Sequence, residues 1–219
     1  MFYWDLTHPV TPQIPPFPGD SPVQIQTDLT IPENGCLVRT LTCSTHQGTH
    51  VDAPAHILPE GKTLDDFPLE TFFPKAVVLE MPTLSPETGI TLENLSLPDP
   101  FPFPGHALLL RTHWEQTAQR FDADYFRNAP FLLPETARWL SQQPIPILGF
   151  DLPSPDAFSN SALTCHHLLL EQEILLLENL THLEPLPTRQ PLELILLPLP
   201  IAQAEGAPAR AVARLSHFQ

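Results

Sequence analysis

The segment HQGTHVDAPAH, which runs from His46 to His56, concentrates side chains that bind metal ions and transfer protons. Its three imidazoles and one carboxylate all fall at even-numbered positions. A helix would scatter these groups around its axis, whereas a β-strand directs alternate side chains to one face. The spacing therefore predicts a strand that presents His46, His50, Asp52 and His56 on the same side.

The same segment contains two residues that bend a strand. Side chains four residues apart on a straight strand are about 13 Å from each other, and two imidazoles so placed barely share an ion bound at about 2.1 Å from each nitrogen. Gly48 tolerates the backbone angles of a kink between His46 and His50, and Pro54 ends ladder pairing before His56. We therefore predict that the imidazoles converge on a metal ion, rather than being surface histidines beside a turn aspartate.

The elements that must position this segment follow from apolar runs and helical patterns. The predicted strands cover residues 23–30, 37–44, 76–81, 106–112, 146–151, 173–179, 193–199 and 209–216, and the predicted helices cover 114–121, 134–143 and 161–172. The first two strands alternate polar and apolar residues, which predicts half-buried strands. The continuous apolar runs at 76–79, 107–110 and 174–177 are typical of strands covered on both faces. This order predicts one α/β domain over residues 1–219, with helices packed on a mixed β-sheet.

The charge of the chain limits its partners. The 219 residues carry a formal net charge of −15, and such an acidic surface repels phosphate groups, so we expect neither nucleic acid nor an anionic membrane as a partner. No apolar run approaches the roughly 20 residues of a membrane span. The first ten residues lack the basic and apolar regions of a secretory signal. We therefore expect a cytoplasmic protein that acts on a small molecule.

Several segments resemble one family. HQGTHVDAPAH resembles the H-x-G-T-H-x-D-x-P-x-H signature of the cyclase family of metal-dependent hydrolases, which includes kynurenine formamidases (arylformamidases) and isatin hydrolases. YWDLTHPVTPQIPPFPGDSP resembles the family's opening, with its D-[IL]-[ST] and P-G-D. LLLRTHW, LGFDLPSPD, CHHLLLEQEILLLENLTHL and AEGAPARAVA resemble further family segments. The resemblance covers nearly the whole chain and implies the swivelling β/β/α-like fold of that family.

The resemblance also implies a role for each matched residue. It makes His56 the catalytic acid and base, and it makes Asp52 a bridge between two ions. The implied metal ligands are His46, His50, Asp52, His166 and Glu178. His166 is favoured over His167 by the H-x-x-L-L register. Two histidines with shared carboxylates suit zinc, with one or two ions per chain, and manganese is the alternative.

The function that the resemblance implies is metal-dependent hydrolysis of an aryl formamide. N-formylkynurenine, converted to kynurenine and formate in tryptophan catabolism, is the favoured substrate. The alternatives are a cyclic amide such as isatin, or a member that binds metal without hydrolysing. The resemblance and the apolar residues Phe2, Tyr3 and Trp4 together predict a homodimer or a higher homo-oligomer.

Four aromatic residues and two departures from the family pattern bear on the substrate pocket. Trp4, Phe17, Phe72 and Phe73 are candidates for an apolar wall around an aromatic substrate. Two residues depart from the family pattern: His113 replaces the glycine of R-T-G-W, and Ile57 follows His56 where many members carry an aromatic residue. We expect both departures to affect the choice of substrate rather than the chemistry.

Overall fold

The centre of the fold is an eight-stranded mixed sheet. The computed structural model describes residues 1–98, 100–117 and 123–215. Its strands are β1 (Phe2–Asp5), β2 (Gln24–Leu29), β3 (Val38–Thr42), β4 (His50–Asp52), β5 (Lys75–Glu80), β6 (Gly89–Ile90), β7 (Ala107–Arg111), β8 (Phe131–Leu132), β9 (Ile147–Phe150), β10 (Leu175–Glu178), β11 (Pro191–Pro198) and β12 (Gly206–Leu215). The sheet order is β1-β12-β11-β5-β7-β9-β10-β4. Because β4 also pairs with β12, every strand of this sheet except β1 belongs to a closed ring.

The four strands β5, β7, β9 and β10 run parallel, and β4 and β11 pair antiparallel at the two ends of this set. Alternate residues of β5 point to different cores. Ala76 and Val78 belong to an inner cluster with residues of β11 and β12, whereas Val77 and Leu79 belong to an outer cluster with helical residues. The predicted burial of these apolar strands on both faces is confirmed.

Helices cover the outer side of the parallel strands. They are α2 (Leu92–Leu95), α3 (Trp114–Thr117), α4 (Ala123–Arg127), α5 (Pro134–Ser141) and α6 (Thr164–Leu170). A further helix, α1 (Ile31–Asn34), lies between β2 and β3 and has no buried residues. Leu140 of α5 and Leu169 of α6 are fully buried in the outer cluster. The helices predicted at 134–143 and 161–172 are therefore present with shorter ends. The predicted helix at 114–121 begins as α3, and its residues 118–121 lie outside the described residues.

The first two predicted strands are present, but their predicted half-burial is wrong. They form a separate hairpin, β2–β3, that is not part of the main sheet, and nearly all of its residues are exposed. Ile25 stands opposite Leu41, and Leu29 stands opposite Val38. Because Val38 and Leu41 are three residues apart on β3, these two pairs lie on opposite faces of the hairpin, and both remain largely open to solvent.

The architecture is a mixed sheet with few helices, as the sequence predicts. The shortest strand of the ring, β4, carries the central part of the histidine segment and lies between β10 and β12. None of the helices within the described ranges has the length and apolar character needed to cross a membrane.

Candidate metal centre

The histidine segment folds as a turn, a short strand and a second turn. His46 lies in a turn before β4, and Gly48 adopts a left-handed φ of 62°, so the predicted kink falls where the sequence places it. The strand itself is shorter than predicted, because only residues 50–52 pair. Pro54 begins a 3-10 turn that ends at His56. The bends on both sides bring the imidazoles of His46 and His56 back toward β4.

Pairing of β4 with β10 adds a distant carboxylate to the segment. Glu178 stands opposite His50 in the antiparallel register. His50 and Asp52 share one face of β4, while Val51 points into the inner cluster. The side chains of His50, Asp52 and Glu178 are all buried, and we call them the strand-borne group. His46 and His56 are only partly buried, and we call them the turn-borne group.

Asp52 lies at the centre of both groups. Its Oδ1 atom is 2.8 Å from His46 Nδ1 and 3.2 Å from His50 Nε2. Its Oδ2 atom is 3.8 Å from Nε2 of His166, which comes from α6. The two carboxylate oxygens therefore face different histidines, as a carboxylate shared by two ions requires.

Glu178 faces the same space from the opposite strand. Its Oε2 atom is 3.5 Å from His50 Nε2, and its Oε1 atom is 3.5 Å from His166 Nε2. Glu178 Oε1 is buried and has no hydrogen-bond partner among the described residues. A buried carboxylate oxygen without a partner costs free energy unless a cation or a donor occupies the space beside it.

The electrostatics of the centre favour a bound cation. Burial and the charge of Asp52 raise the pKa of Glu178. Burial opposes ionisation of Asp52, but His50 and His46 hold the pKa of Asp52 well below its usual value. Burial also opposes protonation of His50, but Asp52 and Glu178 raise the pKa of His50 to about 9. Protons and metal ions therefore compete for the same nitrogen lone pairs.

The donor atoms fit one or more divalent ions. Two sets, His46 with Asp52 and His56, and His50 with Asp52 and Glu178, each place one donor atom per residue within 4.8 Å of the others. Nitrogen and oxygen donors of this kind suit zinc or manganese at a catalytic site. His50 Nδ1 lies 2.8 Å from the Gly48 carbonyl oxygen, which leaves its Nε2 facing the carboxylates.

Close packing against β12 positions His46. A Cβ atom built on Gly206 would lie 2.7 Å from His46 Cε1, a distance that real Cβ atoms do not tolerate. Gly206 is paired with Asp52 across β12 and β4. The glycine therefore leaves the space in which the His46 ring lies beside Asp52.

His56 lies among the other histidines of the centre and is partly buried. Its ring centroid is 4.2 Å from that of His46 and 5.7 Å from that of His166. Burial, with the neighbouring positive imidazoles His46 and His166, lowers the pKa of His56 to about 4, although Asp52 acts in the opposite direction. His56 is therefore neutral at pH 7 and has a nitrogen lone pair available.

An aspartate to which the sequence reading gave no role supports His166. Asp156 Oδ2 lies 2.7 Å from His166 Nδ1, and the Asp156 side chain is buried. The signal available in the sequence was an aspartate ten residues before the histidine, at the entry to a predicted helix. His167 instead lies 3.5 Å from Glu171 on the exposed side of α6, so of the two adjacent histidines only His166 faces the centre.

A cavity of about 220 Å³ opens over these side chains. Its apolar lining residues are Ile14, Pro15, Phe17, Phe126, Pro153 and Leu163. Of the aromatic residues expected to line the pocket, Phe17 does so. Trp4 packs against the inner cluster from β1, Phe72 is buried in that cluster, and Phe73 is exposed, so these three lie away from the cavity.

The two departures from the family pattern also lie outside the cavity lining. His113 has a left-handed φ of 61°, which is the conformation that a glycine adopts readily. Its ring pairs with Glu80, which also pairs with Arg111. Ile57 packs against the outer cluster. Neither side chain is therefore in a position to contact a substrate in the cavity directly.

Comparison with known proteins agrees with this geometry. Residues 4–157 match the family model named Cyclase. The chain is 32% identical over 213 residues to the kynurenine formamidase of Bacillus cytotoxicus, with 96% of each chain covered. It is 34% identical over 215 residues to that of Bordetella avium, covering 96% of this chain and 97% of the relative. Isatin hydrolase A from Labrenzia aggregata has a TM-score of 0.84 at 25% identity, covering 99% of this chain and 94% of that chain. The chain therefore belongs to the cyclase family of hydrolases.

Proposed function

We propose that this chain is a metal-dependent hydrolase of aryl formamides, with N-formylkynurenine as its substrate and kynurenine and formate as products. The observation that carries the proposal is the buried pair Asp52 and Glu178, surrounded by imidazoles at the base of a cavity with an aromatic wall. The sequence relatives named kynurenine formamidase support the choice of substrate. In this proposal the hydrolase domain spans residues 1–219 and acts in the cytoplasm in tryptophan catabolism.

The proposed ligands are His46, His50, Asp52, His166 and Glu178, holding zinc, with manganese as the alternative. Two ions per chain would allow each oxygen of Asp52 to serve one of them. When bound, such ions polarise an amide carbonyl and lower the pKa of a water molecule toward neutrality.

The remaining chemistry belongs to side chains of the cavity. His56 is neutral, so it accepts a proton from the attacking water and delivers it to the leaving aniline nitrogen. Phe17 and Phe126 form an edge-to-face pair with ring centroids 5.5 Å apart. They would position the aromatic ring of the substrate so that its formyl group points toward the ligands.

A cyclic amide is the second candidate substrate. The likeness to isatin hydrolase A supports this alternative, because the two folds agree over nearly the whole chain. A chain that binds metal without hydrolysing is the third candidate. The neutral imidazole of His56 beside the donor sets argues against it, because a proton-transfer group is in place.

We also propose that the protein is a homodimer or a higher homo-oligomer. Ile25, Val38 and Leu41 of the β2–β3 hairpin are exposed, and Phe2 and Tyr3 are more than half exposed. Burial of such surfaces between copies would stabilise an assembly. Light scattering should give a multiple of 24.5 kDa, and a mass of one chain at micromolar concentration would contradict this part of the proposal.

One experiment separates the candidate functions. The purified chain, loaded with zinc and separately with manganese, is assayed on N-formylkynurenine, formanilide and isatin, and its metal content is determined by elemental analysis. We expect metal in the protein, fastest turnover of N-formylkynurenine, and loss of turnover with a chelator. Preferential turnover of isatin would favour the second candidate. Bound metal without turnover of any amide would favour the third.

A further inference from the structure

We infer that Asp156 is a positioning residue, which fixes the His166 ring so that Nε2 rather than Nδ1 binds the metal. This inference rests on the proposed function, because it assigns Asp156 a role toward a ligand of that site. The contact joins a loop after β9 to the first turn of α6. Asp156 ends the segment LGFDLPSPD, which resembles a family segment, but that resemblance assigned it no role.

One carboxylate oxygen of Asp156 contacts both the backbone and the ring of His166. Asp156 Oδ2 accepts hydrogen bonds from the backbone N–H of His166 at 3.0 Å and lies 2.7 Å from His166 Nδ1. Because an ionised carboxylate only accepts hydrogen bonds, Nδ1 must carry the proton. The other nitrogen, Nε2, then keeps its lone pair and faces Asp52 and Glu178.

The other oxygen of Asp156 is held in place by two donors. Asp156 Oδ1 accepts hydrogen bonds from the backbone N–H of Cys165 and from Asn160 Nδ2, each at 2.8 Å. The residue before α6, Leu163, offers no side-chain cap. The carboxylate of Asp156 therefore caps the helix from the preceding loop, so the backbone and the ring of His166 are fixed by one group.

The hydrogen-bond partner of the other buried histidine of the centre, His50, differs in charge from that of His166. His50 Nδ1 donates to a neutral carbonyl oxygen, that of Gly48, whereas His166 Nδ1 donates to a carboxylate. A carboxylate partner orients a ligating imidazole and makes it a more basic ligand, and removal of such partners commonly weakens metal binding about 10- to 100-fold. We therefore expect Asp156 to contribute to metal affinity through His166.

The chain contains a matched control in the same segment. Asp151 is also buried and also accepts two backbone N–H groups, those of Thr112 and His113, each at 2.8 Å. The side chains that Asp151 contacts do not belong to the proposed ligand set. Asp151→Asn therefore reproduces the loss of a buried charge and of strong backbone hydrogen bonds, without a change at a ligand.

The test compares zinc affinity, by chelator competition, in the wild type, Asp156→Asn and Asp151→Asn. The amide of Asp156→Asn presents either an NH₂ group or a weaker neutral acceptor to His166 Nδ1. The NH₂ group would favour the His166 tautomer with the proton on Nε2, whereas the weaker acceptor would make His166 a less basic metal ligand. We expect zinc binding to weaken about 10- to 100-fold in Asp156→Asn and to change less than about twofold in Asp151→Asn. Equal affinities in Asp156→Asn and the wild type, or equal losses in both variants, would overturn the inference.

A second measurement does not depend on whether Asp156→Asn and Asp151→Asn fold. In the zinc-loaded wild type, ¹⁵N-histidine NMR should show His166 with a protonated Nδ1 and a metal-bound Nε2, with its signals assigned by their absence in His166→Gln. A metal-bound Nδ1 would overturn the inference while leaving the proposed function intact. Failure of the wild type to bind zinc or manganese would instead contradict the proposed function, and this inference with it.

Discussion

The strand-borne and turn-borne groups meet at Asp52 but are built differently. His50 and Glu178 project from the paired strands β4 and β10 and are buried, whereas His46 and His56 lie in turns before and after β4 and are partly exposed. A strand pair holds side chains through its hydrogen-bond ladder, and turns depend on fewer contacts. We conclude that the strand-borne group is the rigid half of the centre, and that the turn-borne group can adjust to an ion or a substrate.

Loss of Asp52 should impair the strand-borne and the turn-borne group together. Asp52→Asn takes away a charge that both groups use, so we expect metal content and turnover to fall together toward zero. At a zinc concentration 100-fold above the wild-type dissociation constant, the variant should also lose about 2.7 kcal/mol of metal-linked stability. Elemental analysis, turnover and thermal unfolding with and without zinc measure these effects. Asp28→Asn, on the exposed hairpin, is the control, and an Asp52→Asn protein with full metal content would refute the shared role.

The next largest effect should separate His56 from the ligands. His56→Ala should retain its metal and its melting temperature and should lose about 10²–10⁴ in turnover, the usual contribution of general acid–base catalysis. His167→Ala, which removes an exposed histidine of α6, should leave turnover unchanged. Because His56 also lies within one donor set, the opposite result is informative: a His56→Ala protein that lacks metal would make His56 a ligand.

A change on β12 should disturb one half of the centre without removing any ligand. Gly206→Ala places a methyl group most closely against the His46 ring and, less closely, against the Val51 carbonyl oxygen of β4. We expect metal bound through His46 to weaken about tenfold, a cost of about 1.4 kcal/mol. In a double-mutant cycle, Gly206→Ala should add little to the effect of His46→Ala. Additive losses would show that Gly206 acts through some other contact.

The smallest effect should fall on the cavity wall. Phe17→Ala removes an aromatic contact worth about 0.5–1.5 kcal/mol, so KM for an aryl formamide should rise by up to about tenfold while metal content stays constant. Phe73→Ala removes an exposed phenylalanine away from the cavity and should leave KM unchanged. Equal effects of the two substitutions would argue against a substrate contact at Phe17.

The sequence predicts those features that local pattern determines. The apolar runs at 76–79, 107–110 and 174–177 identify buried strands because only a doubly covered strand needs apolar residues on both faces. Gly48 identifies the kink because glycine adopts its backbone conformation without strain. The strands β1, β6 and β8 were not predicted, because each spans only two to four residues and is too short for an alternation pattern to identify.

Features that depend on tertiary neighbours were not predictable in this way. The apolar residues of β2 and β3 are visible in the sequence, but the sequence does not reveal whether the rest of the chain covers them. Trp4 and Phe72 have the chemistry of a substrate wall, yet packing directs both to the inner cluster. The contact between Asp156 and His166 depends on where the loop after β9 meets α6, which no periodicity records.

The closure of the ring at β4 also bears on aggregation. Only the three residues of β4 separate that end of β12 from β10, and without them both strands would present unpaired backbone groups to solvent. Open edges of this kind pair readily with edges of other molecules. Ions bound by residues of both β4 and β10 would hold these two strands together. The metal-free protein is therefore the form expected to self-associate during expression or storage, and metal supply would govern solubility as well as turnover.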